Sequence, residues 1–223
     1  MAEEQIQKVK VPPPLIVKVG GSLVDNDRIG GALDIVARAS RRLVIVPGGG
    51  LFADTVRRAQ SDYQFSDEAA HRMAILAMHQ TAELLMDLQP RLMGADSVAS
   101  MRAIWRKGKI PVWLPHKMCD GDNEIPADWS ITSDGLAARL AERLRCSDIV
   151  LVKSRNVAES ASAFDLARDG VVDAIFAAIA TRANLNWLVI GPGEEVKLAQ
   201  LLGSTRSDAG GSPLVGRAGA RSR

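Results

Sequence analysis

Several features are scarce in this 223-residue chain, and each scarcity excludes a class of protein. Its two cysteines, Cys119 and Cys146, lack metal-ligand or redox spacing, so we expect free thiols in a reducing compartment. No apolar run is long enough to span a membrane, and the N-terminus lacks the pattern of a signal peptide. The formal net charge of +2 gives no indication of nucleic-acid binding. We therefore expect a cytoplasmic protein that binds neither membranes nor nucleic acid.

The sequence also lacks the short motifs of several well-known enzyme classes. It has no G-x-x-x-x-G-K-[ST] phosphate loop, and the Gly-Pro-Gly at 191–193 is not followed by the third glycine of a dinucleotide fingerprint. The H-R-D and D-F-G motifs of protein kinases and the G-x-S-x-G elbow of hydrolases are absent too. Any phosphate site must therefore be built in another way.

What is present is a regular alternation of buried strands and helices. Continuous apolar runs rich in Val, Ile and Leu are typical of strands buried on both faces, and helical patterns separate them. We therefore predict an α/β fold, a three-layer αβα sandwich with a central, mainly parallel sheet. Strands are predicted at 15–19, 43–47, 110–114, 148–152 and 186–190, and helices at 27–39, 50–60, 66–88, 133–145, 171–182 and 194–202.

The chain length and the distribution of apolar residues predict a single domain. Residues 15–203 carry the alternating pattern and are long enough to bury a core. Residues 1–14 are polar and end in three prolines, which predicts an extended lead-in. Residues 204–223 are rich in Gly, Ser and Arg, which predicts a flexible tail.

Two glycine-rich turns follow the first two predicted strands. One contains Gly20, Gly21 and Ser22, and the other contains Gly48, Gly49 and Gly50. A turn without Cβ atoms lets backbone N–H groups approach an anion, and the helix that follows adds its positive N-terminal end. The pair therefore indicates a polyphosphate site, although the second turn is also explained as a simple strand-to-helix connection.

Three charged residues accompany these turns. Lys18 lies inside an apolar strand, where its charge is costly without a partner, unless it is an edge-strand lysine that reaches water. Asp134 follows Thr132 and Ser133 at the start of a predicted helix, where a purely structural capping role is also possible. Lys153 ends the strand at 148–152, and we predict that Asp134 holds both lysines in place.

Together these motifs resemble the amino acid kinase superfamily, which includes acetylglutamate, carbamate and uridylate kinases. The resemblance covers about residues 15–203 in motif order and spacing. Two segments, 71–78 and 126–134, more closely resemble a branch linked to methanofuran-type one-carbon cofactors. The characterised member of that branch phosphorylates an aminomethylfuran-methyl phosphate to its diphosphate.

The resemblance implies a role for each matching residue. Lys18 and Lys153 would neutralise the transferred phosphoryl group, with Asp134 organising them. Donor phosphates and the nucleotide side would be bound by Gly20, Gly21, Ser22, Ser154 and Asn156. The acceptor side would consist of Gly48, Gly49, Gly50, His71, Arg72, Trp129, Thr132 and Ser133. Packing or capping also explains several of the acceptor-side residues, Trp129 and His71 among them.

The resemblance also implies ATP and Mg²⁺ as cofactors and a small phosphorylated acceptor, and it assigns no protein residue as a metal ligand. The helix predicted at 66–88 is apolar enough to pack against a second subunit, so we expect a homo-oligomer. The sequence departs from the superfamily at residues 153–157, where Ser154 and Asn156 stand near an expected Asp-Gly turn. Asn156 can adopt the left-handed conformation of that glycine. Two other functions stay open: a carboxylate or amine kinase, and a non-catalytic protein that binds a nucleotide or an oxyanion.

Overall fold

The structure is a computed structural model that describes residues 13–21, 23, 28–158 and 160–204. The predicted tail from residue 205 onward, the predicted lead-in up to residue 12, and Ser22 lie outside the described residues.

A six-stranded sheet forms the centre of the described chain, and every strand pair in it is parallel. Its spatial order is β3-β4-β2-β1-β5-β6. The strands are β1 (Leu15–Val19), β2 (Leu43–Pro47), β3 (Leu92–Ala95), β4 (Ile110–Trp113), β5 (Asp148–Val152) and β6 (Asn186–Ile190). The sequence analysis missed β3, because this short edge strand is only partly buried and has no continuous apolar run.

Helices cover both faces of the sheet, so the predicted three layers are present. They are α1 (Ile29–Ala37), α2 (Gly50–Tyr63), α3 (Asp67–Leu88), α4 (Val98–Arg106), α5 (His116–Cys119), α6 (Ser133–Leu144), α7 (Ala163–Arg168), α8 (Ala174–Arg182) and α9 (Glu195–Leu202). The short helices α4, α5 and α7 were not predicted. The helix predicted from residue 171 begins at Ala174, because Asp173 caps it by accepting a hydrogen bond from the Phe176 N–H at 2.7 Å.

Alternating side chains of β1 divide the core into two clusters. Ile16 packs on the face covered by α4, α6 and α8, whereas Leu15, Val17 and Val19 pack on the face covered by α1 and α9. Because successive side chains of a strand point to opposite faces, Lys18 shares the face of Ile16 and points toward α6.

The strand order places the predicted site at the carboxyl ends of the central strands. From β1 the chain adds strands first on one side, through β2, and later on the other, through β5. In open parallel sheets a ligand crevice forms at such a reversal, beyond the carboxyl ends of the strands. Both glycine turns and Lys153 lie at these ends. No helix in the described ranges is long and apolar enough to cross a membrane.

Candidate active site

The centre of the site is a buried ion cluster of two lysines and one aspartate. Lys18 Nζ lies 2.8 Å from Asp134 Oδ1, and Lys153 Nζ lies 2.5 Å from Asp134 Oδ2. Lys153 Nζ also donates to the Val171 carbonyl at 2.6 Å. Lys18 and Asp134 form an ion pair without hydrogen-bond geometry. Asp134 Oδ1 therefore accepts no hydrogen bond from the described residues. The three charges therefore sum to one positive charge.

Burial and mutual charge set the protonation of this cluster. Burial opposes ionisation of Asp134, but the charges of Lys18 and Lys153 outweigh it and hold the pKa of Asp134 below its usual value. Burial, together with the charge of Lys18, lowers the pKa of Lys153 to about 8. An anion bound beside the two ammonium groups would stabilise their positive charges, which suits a site for phosphate.

Asp173 fixes the start of α6, and sequence analysis missed it. Its Oδ2 accepts from the Thr132 N–H, the Thr132 hydroxyl and the Gly135 N–H at 2.7–2.9 Å. A Cβ on Gly135 would lie 2.6 Å from Asp173 Oδ1, so only glycine allows this approach. Burial raises the pKa of Asp173, and this effect outweighs the hydrogen bond from Thr132, which lowers the pKa. Asp173 thereby positions the helix that carries Asp134, and Thr132 is its N-cap residue.

The two glycine turns pack directly against each other. A Cβ on Gly21 would lie 2.1 Å from the Gly50 nitrogen, and a Cβ on Gly48 would lie 2.4 Å from the Gly21 nitrogen. Gly50 also has a positive φ of 51°. The glycines are therefore required by close backbone contact as well as by any ligand.

Part of the backbone predicted to bind phosphate is already used. The Gly20 N–H donates to the Val152 carbonyl at 3.0 Å, and the Gly48 N–H donates to the Val19 carbonyl at 2.8 Å. These bonds extend the sheet ladder into the turns. The first N–H groups of α2, beginning at Gly50, have no acceptor within the helix, so they remain candidate anion donors.

A cavity of about 240 Å³ opens beside the cluster. Its wall is shared by the glycine turns, α2, α3 and the start of α6. The lining residues are Lys18, Gly21, Gly48, Gly49, Gly50, Ala53, Asp54, Arg57, His71, Ala74, Ile75, Met78, Trp129, Ile131, Thr132, Ser133 and Leu136. Of the predicted acceptor residues, only Arg72 is missing from this wall. Asp54 and Arg57 line it without having been predicted.

Trp129 stands on this wall with its ring held from two directions. The Arg57 guanidinium lies 4.3 Å from the ring centroid, a cation–π distance, and the indole N–H donates to Gln60 Oε1 at 2.6 Å. One face of the indole is thus covered by Arg57. A flat ligand predicted to stack on Trp129 would have to use the other face.

The two residues predicted on α3 are placed differently. His71 is buried and lines the cavity, and burial lowers its pKa, against the opposing effect of Asp128, so the imidazole is neutral at neutral pH. Arg72 is exposed and lines a neighbouring cavity together with His116 and Asp120. The structure therefore does not bring Arg72 to the cavity that the other predicted acceptor residues line.

The two residues predicted on the nucleotide side, Ser154 and Asn156, lie beyond the carboxyl end of β5. Ser154 follows Lys153 in the turn, and Asn156 packs so closely on Gly191 that a Cβ there would lie 1.8 Å from Asn156 Oδ1. Asn156 does not take the left-handed conformation that would replace a glycine: the non-glycine residues with positive φ in the described chain are Gln64, Arg145 and Asn184. The packing role against Gly191 replaces it.

Arg28 connects this side of the site, and the sequence analysis overlooked it. Its guanidinium donates to the carbonyls of Lys153 and Gly191, each at 2.9 Å, and pairs with Glu195 at 2.7 Å. The residue therefore ties the ends of β5 and β6 to α9.

The donor set suits phosphate better than a protein-bound metal. The described residues contain no group of three or more His, Cys, Asp or Glu side chains placed to hold a metal ion. Asp134, the carboxylate of the cluster, already contacts both lysines. An Mg²⁺ ion would accordingly be bound through the phosphates of its nucleotide, as this ion often is. Cys119 and Cys146 are buried, and burial raises the pKa of each thiol to about 12.

The fold and the site define an α/β protein whose parallel sheet carries two glycine turns and a buried ion cluster of net positive charge at its carboxyl end. The model of the amino acid kinase family matches residues 13–156, more than half of the chain. The chain therefore belongs to the amino acid kinase family, and the predicted family and fold are confirmed.

A curated relative is the [5-(aminomethyl)furan-3-yl]methyl phosphate kinase of Methanocaldococcus jannaschii, which is 30% identical over 138 residues. The match spans 61% of this chain and 63% of the relative, so it covers less than two thirds of the relative's length.

Solved structures share the fold at low identity. Uridylate kinase from Archaeoglobus fulgidus superposes with a TM-score of 0.62 at 17% identity, covering 85% of this chain and 95% of that one. An isopentenyl phosphate kinase superposes with a TM-score of 0.59 at 14% identity, covering 84% and 95%. All three relatives are kinases by name, in line with the predicted class, phosphotransferase.

Proposed function

We propose that this protein is an ATP-dependent, Mg²⁺-requiring kinase that transfers the γ-phosphoryl group to a phosphomonoester. The observation that carries the proposal is the buried Lys18–Asp134–Lys153 cluster, with its excess positive charge, beside a cavity framed by the two glycine turns. Acceptor and donor phosphates would meet where this charge is concentrated.

The residues act by positioning and charge. Lys18 is buried and lines the cavity, so its ammonium group would contact the phosphoryl group in transfer. Lys153 would neutralise charge on the donor side, and Asp134 keeps both lysines at fixed positions. When bound, ATP would supply the phosphoryl group, and the turn at Gly20 and Gly21 would hold its phosphates. No covalent enzyme intermediate is needed, because such transfers depend on alignment and charge neutralisation.

For the acceptor we propose aminomethylfuran-methyl phosphate, which would be converted to its diphosphate. The name of the Methanocaldococcus jannaschii relative motivates this choice. The cavity supports it, because its cationic floor at Lys18 suits a phosphate and its apolar wall at Ile75, Met78 and Leu136 suits a flat ring. The homo-oligomeric state and the cytoplasmic location stay predictions from the sequence.

The test is product analysis with purified protein, ATP, Mg²⁺ and this acceptor, followed by phosphorus NMR. We expect a diphosphate product. A panel of carboxylates, assayed with hydroxylamine to trap acyl phosphates, covers the alternative kinase class. An acyl hydroxamate without any diphosphate would contradict the proposal, and so would nucleotide binding by calorimetry with no turnover of any acceptor.

A further inference from the structure

One carboxylate among the described lining residues is unexpected in a cavity meant for phosphate. Lys18 and Arg57 bring positive charge to this wall, whereas Asp54 brings negative charge that would repel a phosphomonoester. The Asp54 carboxylate does not stabilise the lysine cluster, which uses Asp134. A ligand with a cationic group would give this carboxylate a second partner beside Arg57.

The exposure of the charged side chains places them at different depths. The Lys18 side chain is 6% exposed, and the Asp54 side chain is 69% exposed. Lys18 thus lies at the floor of the cavity and Asp54 at its mouth. The same wall also carries apolar side chains, among them Trp129, Ile131 and Leu136. A ligand that fits this wall has an anionic end, an apolar middle and a cationic end.

Helix α2 presents Asp54 together with the side chains that hold Trp129. Asp54, Arg57 and Gln60 are spaced by three residues, so they share one helix face. Arg57 Nη1 contacts Asp54 Oδ1 at 3.2 Å, and Arg57 also covers the Trp129 ring. Asp54 Oδ2 has no protein partner among the described residues. Because the Arg57 pair is exposed, it contributes little to stability and leaves this oxygen available.

We propose that Asp54 accepts a hydrogen bond from an ammonium group at the end of the acceptor opposite its phosphate. The site would thereby select phosphomonoesters of a flat ring that also carries a primary amine. This proposal rests on the proposed function, and it adds the residue that recognises the amine. Arg57 and Trp129 would position Asp54 and the ring, respectively.

The experiment compares two ligands by calorimetry, the aminomethylfuran-methyl phosphate and its analogue with a methyl group in place of the aminomethyl group. We expect the native protein to prefer the amine about tenfold, as a charge-assisted hydrogen bond to an exposed carboxylate allows. Asp54→Asn should abolish this preference, and Asp54→Glu should keep part of it. Asp62→Asn, on the same helix but outside the cavity wall, is the matched control and should keep all of it.

The outcomes separate the two proposals. Equal binding of both ligands by the native protein, or an undiminished amine preference in Asp54→Asn, would overturn the role of Asp54 and leave the kinase proposal standing. An equal loss of both ligands in Asp54→Asn would also overturn it, because a structural or metal-binding role affects both alike. Failure of the native protein to bind either ligand would contradict the proposed acceptor itself.

Discussion

Replacing Asp134 with asparagine removes the carboxylate that lies between Lys18 and Lys153. The change keeps the size of the side chain and leaves two ammonium groups in a buried site. Their contacts with Asp134, at 2.8 Å and 2.5 Å, would be replaced by contacts with a neutral amide. We expect the folded protein to lose stability, because the charge that compensates the lysines is gone.

The size of the loss follows from burial. Removing one partner of a buried ion pair costs about 3–5 kcal/mol. The lower end applies here, because the pKa of Lys153 is already about 8 and falls further without Asp134. Lys153 can then release its proton at neutral pH and remove one of the two uncompensated charges. We therefore expect the free energy of unfolding to fall by about 3 kcal/mol.

Urea unfolding at neutral pH, without nucleotide, measures this loss. Asp34→Asn is the control, because Asp34 is exposed on α1, and it should change stability by less than about 0.5 kcal/mol. The folded pKa of Asp134 is lowered, so its stabilising effect is present above pH about 4 and is lost as the pH falls through the folded value. The difference between native protein and variant should shrink in acid. A loss below about 1 kcal/mol at neutral pH would refute the reasoning.

Two further predictions concern the same end of the sheet. Because the pKa of Lys153 is about 8, kcat/KM should fall as the pH rises above this value. Lys153→Gln should abolish this alkaline decrease in the pH–rate profile. An alkaline decrease that is unchanged in the variant would exclude Lys153 as the titrating group. Gly21→Ala should destabilise the protein and weaken nucleotide binding, because its Cβ would lie 2.1 Å from the Gly50 nitrogen. Gly31 lies on α1, and a Cβ there would meet nothing within 4 Å. In thermal unfolding, Gly31→Ala should therefore stabilise the protein by about 0.5–1 kcal/mol. Equal effects of the two alanine substitutions would contradict the close packing of the two glycine turns.

The strands that carry the site were predictable because burial on both faces leaves a local signature. Runs of Val, Ile and Leu gave the bounds of β1, β2, β5 and β6 as observed. The buried Lys18 was a local anomaly as well, since a charge in an apolar strand needs a partner. The edge strand β3 lacked such a signature, because its Met93 and Gly94 are only partly buried.

Contacts between distant segments were not predictable from single motifs. Asp173 holds Thr132 and Gly135 across about forty residues, and Arg28 holds Lys153 across 125. Asp173 did carry a usable signal, as an N-cap residue directly before an apolar helix. The glycine turns were recognised, but their tight packing on each other depends on how two strands lie side by side, which the order of residues in either turn does not encode.

The most direct test of the account is the turnover number of Lys18→Met under saturating ATP, Mg²⁺ and acceptor. Lys117→Met is the matched control, because Lys117 is exposed and pairs with Asp96 outside the cavity. The account predicts that kcat falls by about 10²–10⁴-fold for Lys18→Met, in the range of lost transition-state charge stabilisation, and stays near the native value for Lys117→Met. A folded Lys18→Met protein with native turnover would contradict the assignment of the lysine–aspartate cluster as the site of phosphoryl transfer.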